Sequence, residues 1–293
     1  MRVSNKLIEC NSELHKRLPT RILNYIIEAE TLSTRILGSD SLKGIILFGS
    51  HARNGREKAS KVSDVDLIIK ISDNIPNDKL KRLDGCLDAL EIKYGLRVKP
   101  DTLFQKFLRV VEKTTGMFVS HFLIKEKDWE NCDFPKIFRV NRFFSRMLAP
   151  ERIVLKSMSQ DCVSLAGEGL CSQDAIKITS FDVLKSLAMN LILCLAGNFL
   201  SMFVKGSEKY ILEAVKWSLR SCYFYLNERN RSIQTIASYF SRLNVDADFL
   251  SQFLEYRERL HRMNIGFRFK SLKMIVELHA FGLRLRPKSR LKS

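Results

Sequence analysis

The sequence predicts an α+β protein, in which an N-terminal mixed-sheet α/β domain is followed by a C-terminal all-α helical bundle. Short apolar runs bounded by turn residues alternate with helical periodicity as far as about residue 135. Beyond this point, long helical stretches follow one another without convincing strand alternation. Hydrophobic residues make up 45% of the 293-residue chain, which is ample material for a folded core. We therefore expect one domain at residues 1–135 and a second at residues 136–293.

Periodicity predicts the elements of the first domain in chain order. A helix is expected over residues 6–37, where Pro19 breaks or restarts it. The apolar run 44–48 predicts a buried strand, and residues 65–71 predict a second one. The remaining elements expected in this domain are a helix over 78–94, a strand over 96–104, a helix over 105–113 and a strand over 117–124.

The second domain is expected to consist of helices, one of which is unusually apolar. Residues 186–204 contain no charge over 19 residues, which is close to the length that spans a bilayer. Their polar residues include Asn190, Gly197 and Asn198, most of which can share the face of a helix packed against protein. We therefore expect a buried central helix and no membrane partner. The helices predicted in this domain cover about 172–204, 208–229, 230–242, 246–264 and 267–284.

The seven cysteines argue against a disulfide framework and against a zinc site. Their number is odd, no two form a CxxC pair, and several lie in apolar stretches such as the one around Cys194. Residues 1–6 also lack the apolar segment of a signal peptide. Reduced, buried thiols and a cytoplasmic location are therefore expected.

The net charge of +17 is the most pronounced feature of the composition. A strongly basic soluble protein attracts polyanions, of which nucleic acid is the most common. The basic residues are spread along the whole chain apart from a short tail at 284–292, and an enzyme that binds triphosphates also needs a positive cleft. The charge therefore keeps nucleic acid among the candidate partners without indicating a type of reaction.

Two short motifs carry the chemistry. The strand at 44–48 ends in Gly49 and Ser50, and because glycine has no Cβ the backbone can approach a ligand closely there. The N–H groups of such a turn and the Ser50 hydroxyl suit phosphate oxygens. Asp64 and Asp66 lie two residues apart on the next predicted strand, so their side chains leave from the same face. A divalent cation would offset the repulsion between the two carboxylates, and hard oxygen ligands suit Mg²⁺.

A pair of strand aspartates by itself is usually part of a solvated face. In this chain the pair follows the Gly-Ser turn after 13 intervening residues. The combination of Leu-Phe-Gly-Ser-His-Ala-Arg with Ser-Asp-Val-Asp-Leu resembles the signature of the DNA polymerase β-like nucleotidyltransferases. The resemblance is specific over residues 44–71, where His51 replaces the arginine that is more frequent after Gly-Ser.

The resemblance implies Mg²⁺-dependent transfer of a nucleoside monophosphate from an NTP to an acceptor hydroxyl, with release of pyrophosphate. It implies that Asp64 and Asp66 ligate two Mg²⁺ ions, the usual means of stabilising attacking and leaving oxygens in such a transfer. Gly49 and Ser50 would hold the β- and γ-phosphates. Arg53 would neutralise charge on the triphosphate, although a solvated basic loop is the alternative reading of this residue.

Enzymes of this family usually have a third carboxylate on a later strand. Asp101 has the best position by order and by strand character, which would make it a metal ligand and an acceptor for the proton of the incoming hydroxyl. The alternative for Asp101 is a turn aspartate after Pro100, which is unusual inside a central strand. Three other carboxylates, those of Asp88, Glu91 and Glu112, are poorer candidates because they lie on predicted helices.

The sequence leaves the acceptor and the oligomeric state open. Family members that act on small acceptors often place a helical bundle after the catalytic domain, so the layout favours a small molecule. The net charge favours an RNA 3′ end or another polyanion, and a protein hydroxyl is the third candidate. Glu168 lies in a segment that loosely resembles a Gly-Glu-Asp-Leu turn preceding the bundle in some relatives. A different class of function is a catalytically decayed module of the same fold that binds nucleic acid or protein.

Overall fold

The computed structural model describes most of the chain and divides it into two compact units, each with its own buried core. Among the described residues, those up to 144 and residues 161–172 belong to the first unit, and residues 145–160 and those from 173 onwards belong to the second. The residues whose structure is described are 18–49, 51–52, 65–96, 120–204, 206–259 and 263–285.

Strands and helices alternate in the first half of the described chain, and helices dominate the second. The elements in chain order are α1 (Thr20–Leu37), β1 (Leu42–Phe48), β2 (Asp66–Ile71), α2 (Asn77–Lys93), β3 (His121–Lys125), α3 (Glu126–Glu130), α4 (Phe134–Ile137), α5 (Arg142–Leu148), α6 (Glu151–Gln160), β4 (Val163–Gly167), α7 (Ser180–Leu200), α8 (Lys209–Asn227), α9 (Ile233–Arg242), α10 (Ala247–Arg259) and α11 (Ile265–Leu285).

The predicted elements of the first unit are confirmed wherever the structure describes them. The helix expected to restart at Pro19 begins at the next residue, because the fixed φ of proline suits a helix start and its carbonyl accepts from Ile22 N at 2.8 Å. The strands around the Gly-Ser turn and the helix after them match the prediction within two residues at each end. The strand expected at 96–104 and the helix expected at 105–113 lie largely or wholly outside the described residues.

The four described strands form one mixed sheet in the order β3-β2-β1-β4. β1 lies between β2 and β4 and is antiparallel to both, whereas β2 and β3 run parallel. The register pairs Phe48 with Asp66 across β1 and β2, and Leu67 with His121 across β2 and β3. The last residue of β1 therefore lies beside the first residue of β2.

The two faces of this sheet are covered differently. Strand alternation directs Ile45, Leu47 and Leu67 to one face, where they share a core with residues of α1 and α2. On the opposite face, the ring of Phe122 lies 5.8 Å from that of Phe48. Apolar side chains thus fix β1 and β2 from both faces, which gives the turn between them a rigid base.

β4 corrects the prediction that no strand occurs after residue 135. Gly44 and Gly167 permit its close pairing with β1, since a Cβ on Gly44 would collide with Glu168 O and a Cβ on Gly167 with Lys43 O. The segment is only five residues long and its exposed and buried positions do not alternate, so periodicity gave no strand signal. The chain therefore returns to the sheet of the first unit before it enters most of the helices.

The second unit is built from helices, as predicted. α7, α8 and α11 pack against one another, and α9 and α10 complete a core that includes Phe240, Phe249 and Phe253. The N-terminus of α7 is fixed by a capping box, in which Thr179 N donates to Asp182 Oδ2 at 2.8 Å. The helices α7 to α11 coincide with the five predicted stretches to within a few residues, except that α7 begins eight residues later than expected.

α7 contains the apolar segment that was expected to be a buried central helix. Its polar face is packed, as predicted: Asn190 and Gly197 are buried and Asn198 is half-buried. The opposite face is exposed, and only 28% of the most apolar stretch is buried. Among the described residues, α7 is the one helix long and apolar enough to cross a membrane, a test that a core helix also passes.

Candidate active site

The Gly-Ser turn and the first residue of β2 lie directly beside each other. Gly49 has a φ of +77°, in the region that favours glycine, so the chain can turn sharply as it leaves β1. A Cβ at this position would collide with Oδ2 of Asp66. The bare backbone of Gly49 is therefore what makes room for the Asp66 carboxylate.

The residues that flank Asp66, and Ala52 beyond the turn, are buried in the core of the first unit. Val65 and Leu67 are fully buried on either side of Asp66, which is half-buried. Because side chains alternate along a strand, Asp66 faces away from the core that its two neighbours enter. Beyond the turn, Ala52 is 3% exposed and belongs to the same core. The carboxylate is thus held at the start of β2, an inner strand of the sheet, between two buried neighbours.

The remaining residues of the predicted site lie outside the described part of the chain: Ser50, Arg53, Asp64 and Asp101. The structure therefore brings Gly49 and Asp66 together and leaves the roles of the other four as predictions. Beside Asp66, the neighbouring strand contributes backbone, since Leu67 N donates to Ser120 O at 2.8 Å.

A second group of polar residues, which the sequence analysis missed, surrounds His121 on the helix-covered face of the sheet. His121 is 3% exposed, with Nδ1 2.6 Å from Glu91 Oε1 and Nε2 3.2 Å from Asp84 Oδ1. Arg139 Nη1 donates to the same Asp84 oxygen at 3.0 Å. Burial alone would lower the pKa of His121, but the hydrogen bonds to the two carboxylates outweigh it and raise the pKa above its ordinary value.

The group around His121 has the composition of a metal site but belongs to a different face from Asp66. Single ligand atoms of Asp88, Glu91 and His121 lie within 4.8 Å of one another. Asp88 and Glu91 are on α2, as predicted. The spacing of Asp84, Asp88 and Glu91 along one face of this helix was the sequence signal that could have identified the group. The hydrogen bonds of His121 to two carboxylates indicate a charge-paired imidazolium that joins β3 to α2.

Glu168, singled out for its resemblance to a family turn, has a structural partner. Lys70 is 8% exposed, and its Nζ lies 2.8 Å from Glu168 Oε2 and 2.7 Å from Glu126 Oε1. The hydrogen bond from Lys70 lowers the pKa of the Glu168 carboxyl. Lys70 lies on the same face of β2 as Asp66 but four residues further along, so Glu168 stabilises the far end of the strand.

The similarity of this chain to known proteins lies in its fold and not in its sequence. No family model and no curated protein sequence matches this chain. Among solved structures, the chain is similar to spectinomycin adenyltransferase AAD(9) from Enterococcus faecialis, whose structure was determined with ATP and spectinomycin. The match has a TM-score of 0.53 and 9% sequence identity, and it covers 89% of this chain and 99% of that one. At this identity the similarity concerns the fold, which extends over both units.

Proposed function

We propose that this chain, which has the polymerase β-like nucleotidyltransferase fold, transfers a nucleoside monophosphate from an NTP to an acceptor hydroxyl. The observation that carries the proposal is the position of the Asp66 carboxylate against the bare backbone of Gly49. A phosphate held by the turn and a cation held by the aspartate would be neighbours in this arrangement. Nucleotidyl transfer requires this neighbourhood, because the triphosphate binds as a complex with a divalent cation.

The turn supplies the phosphate-binding part of the proposed site. The positive φ of Gly49 bends the backbone at the end of β1, and the N–H groups of such a turn can converge on an anion. The Ser50 hydroxyl would donate to a β- or γ-phosphate oxygen, and Arg53 would neutralise further charge. The proposal assigns these three residues to binding and orientation of the NTP.

The carboxylates supply the metal-binding part. The half-buried carboxylate of Asp66 is a hard oxygen ligand of the kind that Mg²⁺ prefers. Asp64 would leave the strand on the same side, and Asp101 would complete the set from a later segment. Two Mg²⁺ ions bound there would stabilise charge on the attacking and leaving oxygens.

The proposed reaction is a substitution at the α-phosphorus. The acceptor oxygen forms a bond to this phosphorus while the bond to the bridging oxygen of the β-phosphate breaks, and pyrophosphate leaves with the electron pair. Asp101 would take the proton that the acceptor hydroxyl loses. Gly49, Ser50 and Arg53 would keep the triphosphate in line with the acceptor, which contributes through positioning.

The acceptor belongs to one of three classes: a small molecule, a protein hydroxyl or an RNA 3′ end. The similar enzyme AAD(9) was solved with ATP and spectinomycin, which favours ATP as the first nucleotide to test and a small-molecule acceptor. The net charge of +17 favours RNA. The nucleotide site can be tested without a choice among these acceptors.

The first experiment is thermal unfolding of the full chain with each of the four NTPs, in the presence and absence of Mg²⁺. A ligand that binds the native state at 100 times its Kd stabilises it by about 2.7 kcal/mol, which shifts the melting temperature measurably. We expect a shift that depends on Mg²⁺ and disappears in Asp66→Asn, because the amide cannot replace the charge of the carboxylate.

Asp78→Asn is the matched control, since Asp78 is an exposed carboxylate on the first turn of α2. This variant should keep the full nucleotide shift. If none of the four NTPs shifts the melting temperature, or if Asp66→Asn keeps the shift, the proposal is contradicted. A decayed module that binds nucleic acid or protein would then be favoured. Incubation with α-³²P-labelled NTP and total tRNA, a protein extract or a small-molecule extract would then identify the acceptor class.

A further inference from the structure

The outer faces of α7 and α11 form an apolar strip that no described residue of the second unit covers. Ten large apolar side chains on these helices and the turn after α7 are 45% to 71% exposed. So much exposed apolar surface is unusual, because monomeric soluble proteins rarely expose contiguous apolar patches larger than a few hundred Å². The members of the apolar strip are Phe181, Leu184, Ile192, Leu195, Phe199, Met202, Phe203, Ile265, Phe269 and Val276.

α7 and α11, which carry the strip, are antiparallel neighbours in a fixed register. Arg268 Nη2 donates to Asn198 O at 2.8 Å, and about three turns away His279 Nε2 lies 3.1 Å from Ser186 Oγ. This register puts Met202 level with Ile265 and brings Leu195 near Phe269. The exposed residues of α11 therefore lie level with those in the C-terminal half of α7.

The inner faces of the two helices are already occupied. Asn190, Cys194 and Gly197 of α7 are buried, and a Cβ on Gly197 would lie 2.9 Å from Ile211 Cγ1 of α8. Because the inner face of α7 already packs against α8, its outer residues remain exposed after the second unit has folded. α7 thus has its polar residues on the packed face and its apolar residues outside, the reverse of an ordinary surface helix.

We propose that a second copy of this chain covers the apolar strip, so that the protein is a homodimer joined through α7 and α11. With more than half of each side chain exposed on average, the ten residues offer roughly 1,000 Å² of surface per chain. A stable dimer needs about 800 Å² from each partner. α7 is 21 residues long, so the strip extends over about 30 Å and can pair with its own copy about a two-fold axis.

Charged groups lie beside the apolar strip and not at its centre. α7 and the turn after it carry no acidic residue between Asp182, which is buried in the capping box, and Glu208. On α11 the cations that border the strip are neutralised: Lys273 pairs with Glu277 at 3.5 Å and Lys270 with Asp246 at 2.6 Å. On α7, Lys185 Nζ lies 5.3 Å from the ring centroid of Phe181, at one end of the strip. A two-fold contact centred on Leu195 and Phe269 would therefore bury no unpaired carboxylate and would leave Lys185 at its border.

The test is the mass of the full chain in solution, measured by analytical ultracentrifugation from about 1 to 100 µM. We expect twice the 33.9 kDa monomer mass, falling towards the monomer on dilution. The double variant Leu195→Arg/Phe269→Arg places like charges at the centre of the contact and should weaken self-association at least a hundredfold. Circular dichroism would establish that the variant keeps its helices.

Phe143→Arg is the matched control, because Phe143 is 74% exposed but lies in the first unit. It should dimerise like the native chain. A native chain that stays at 33.9 kDa over the whole range, or a double variant that dimerises as tightly as the native chain, would overturn the proposal. In the first case, flotation with vesicles of anionic lipid would decide whether the strip binds a membrane instead.

Discussion

At the scale of single residues, Gly49 meets two independent requirements. Its φ of +77° is one that residues with a Cβ rarely adopt, and the space that a Cβ would occupy is filled by Asp66 Oδ2. Each requirement alone would favour glycine. Together they link the shape of the turn to the position of the carboxylate, which is why the two residues form the centre of the proposed site.

A Gly49→Ala variant should lose activity while it keeps its fold. The added methyl group must displace the Asp66 carboxylate or the turn, and a shift of about 1 Å in a catalytic group can lower the rate a hundredfold. The measurement is the nucleotide-dependent thermal shift, together with turnover once an acceptor is known. Gly85→Ala is the control, because a Cβ on this exposed helical glycine meets nothing within 4 Å. Equal effects of both variants would refute the role of Gly49.

At the scale of elements, the pairing of α7 with α8 depends on one small residue. Gly197 is buried at the contact, where a Cβ would lie 2.9 Å from Ile211 Cγ1 and 3.0 Å from Ile211 N. The backbone atom cannot move aside as a side chain could. Close approach of the two helices therefore requires glycine at this position.

Gly197→Ala should destabilise the second unit by about 1 to 3 kcal/mol, because overpacking forces the helices apart. Urea unfolding followed by circular dichroism would measure the change. Gly266→Ala provides the comparison, since its Cβ would meet only Asn264 Oδ1 at 3.4 Å near the start of α11. An unchanged midpoint for Gly197→Ala would mean that α7 and α8 are not packed as described.

At the scale of the whole molecule, the two units contain buried groups whose protonation affects stability in opposite directions. Burial raises the pKa of Glu30 in the first unit to about 7, whereas burial lowers that of His279 in the second unit to about 4. His279 is held neutral between Ile275 O at 2.7 Å and Ser186 Oγ at 3.1 Å. Both groups therefore disfavour their charged form in the folded state.

The sign of each effect follows from linkage. The neutral form of Glu30 stabilises the fold most at low pH, and this stability is lost as the pH rises from 4.5 to about 7. The neutral form of His279 stabilises the fold above pH 6.5, and this stability is lost as the pH falls towards about 4. Each effect changes the free energy of unfolding by at most about 1.4 kcal/mol per pH unit.

Urea unfolding of single variants between pH 4.5 and 7.5 should separate the two effects. Relative to the native chain, Glu30→Gln should become more stable as the pH rises. His279→Gln should become relatively less destabilised as the pH falls, because the native chain then loses the contribution of the neutral imidazole. Parallel pH profiles for the native chain and both variants would contradict these assignments.

Much of the fold was predictable because its signals are local. Apolar periodicity identified the strands on both sides of the Gly-Ser turn and the long helices of the second unit, since each element has a face that must be buried. β4 was missed because five residues with irregular burial give no periodic signal. The pairing of that strand depends on Gly44 and Gly167, whose closeness no sequence spacing reveals.

The sequence by itself determined the composition of the candidate site, because the residue types and their spacing already predict a turn suited to phosphate and a pair of carboxylates. Only the tertiary structure decided that Asp66 lies against Gly49, because this contact depends on the register of β1 with β2. It also decided that His121 pairs with carboxylates of α2 and that one face of α7 stays exposed. These features depend on which elements become neighbours. A hydrophobic pattern indicates that one face of an element is buried but does not identify the element that covers it.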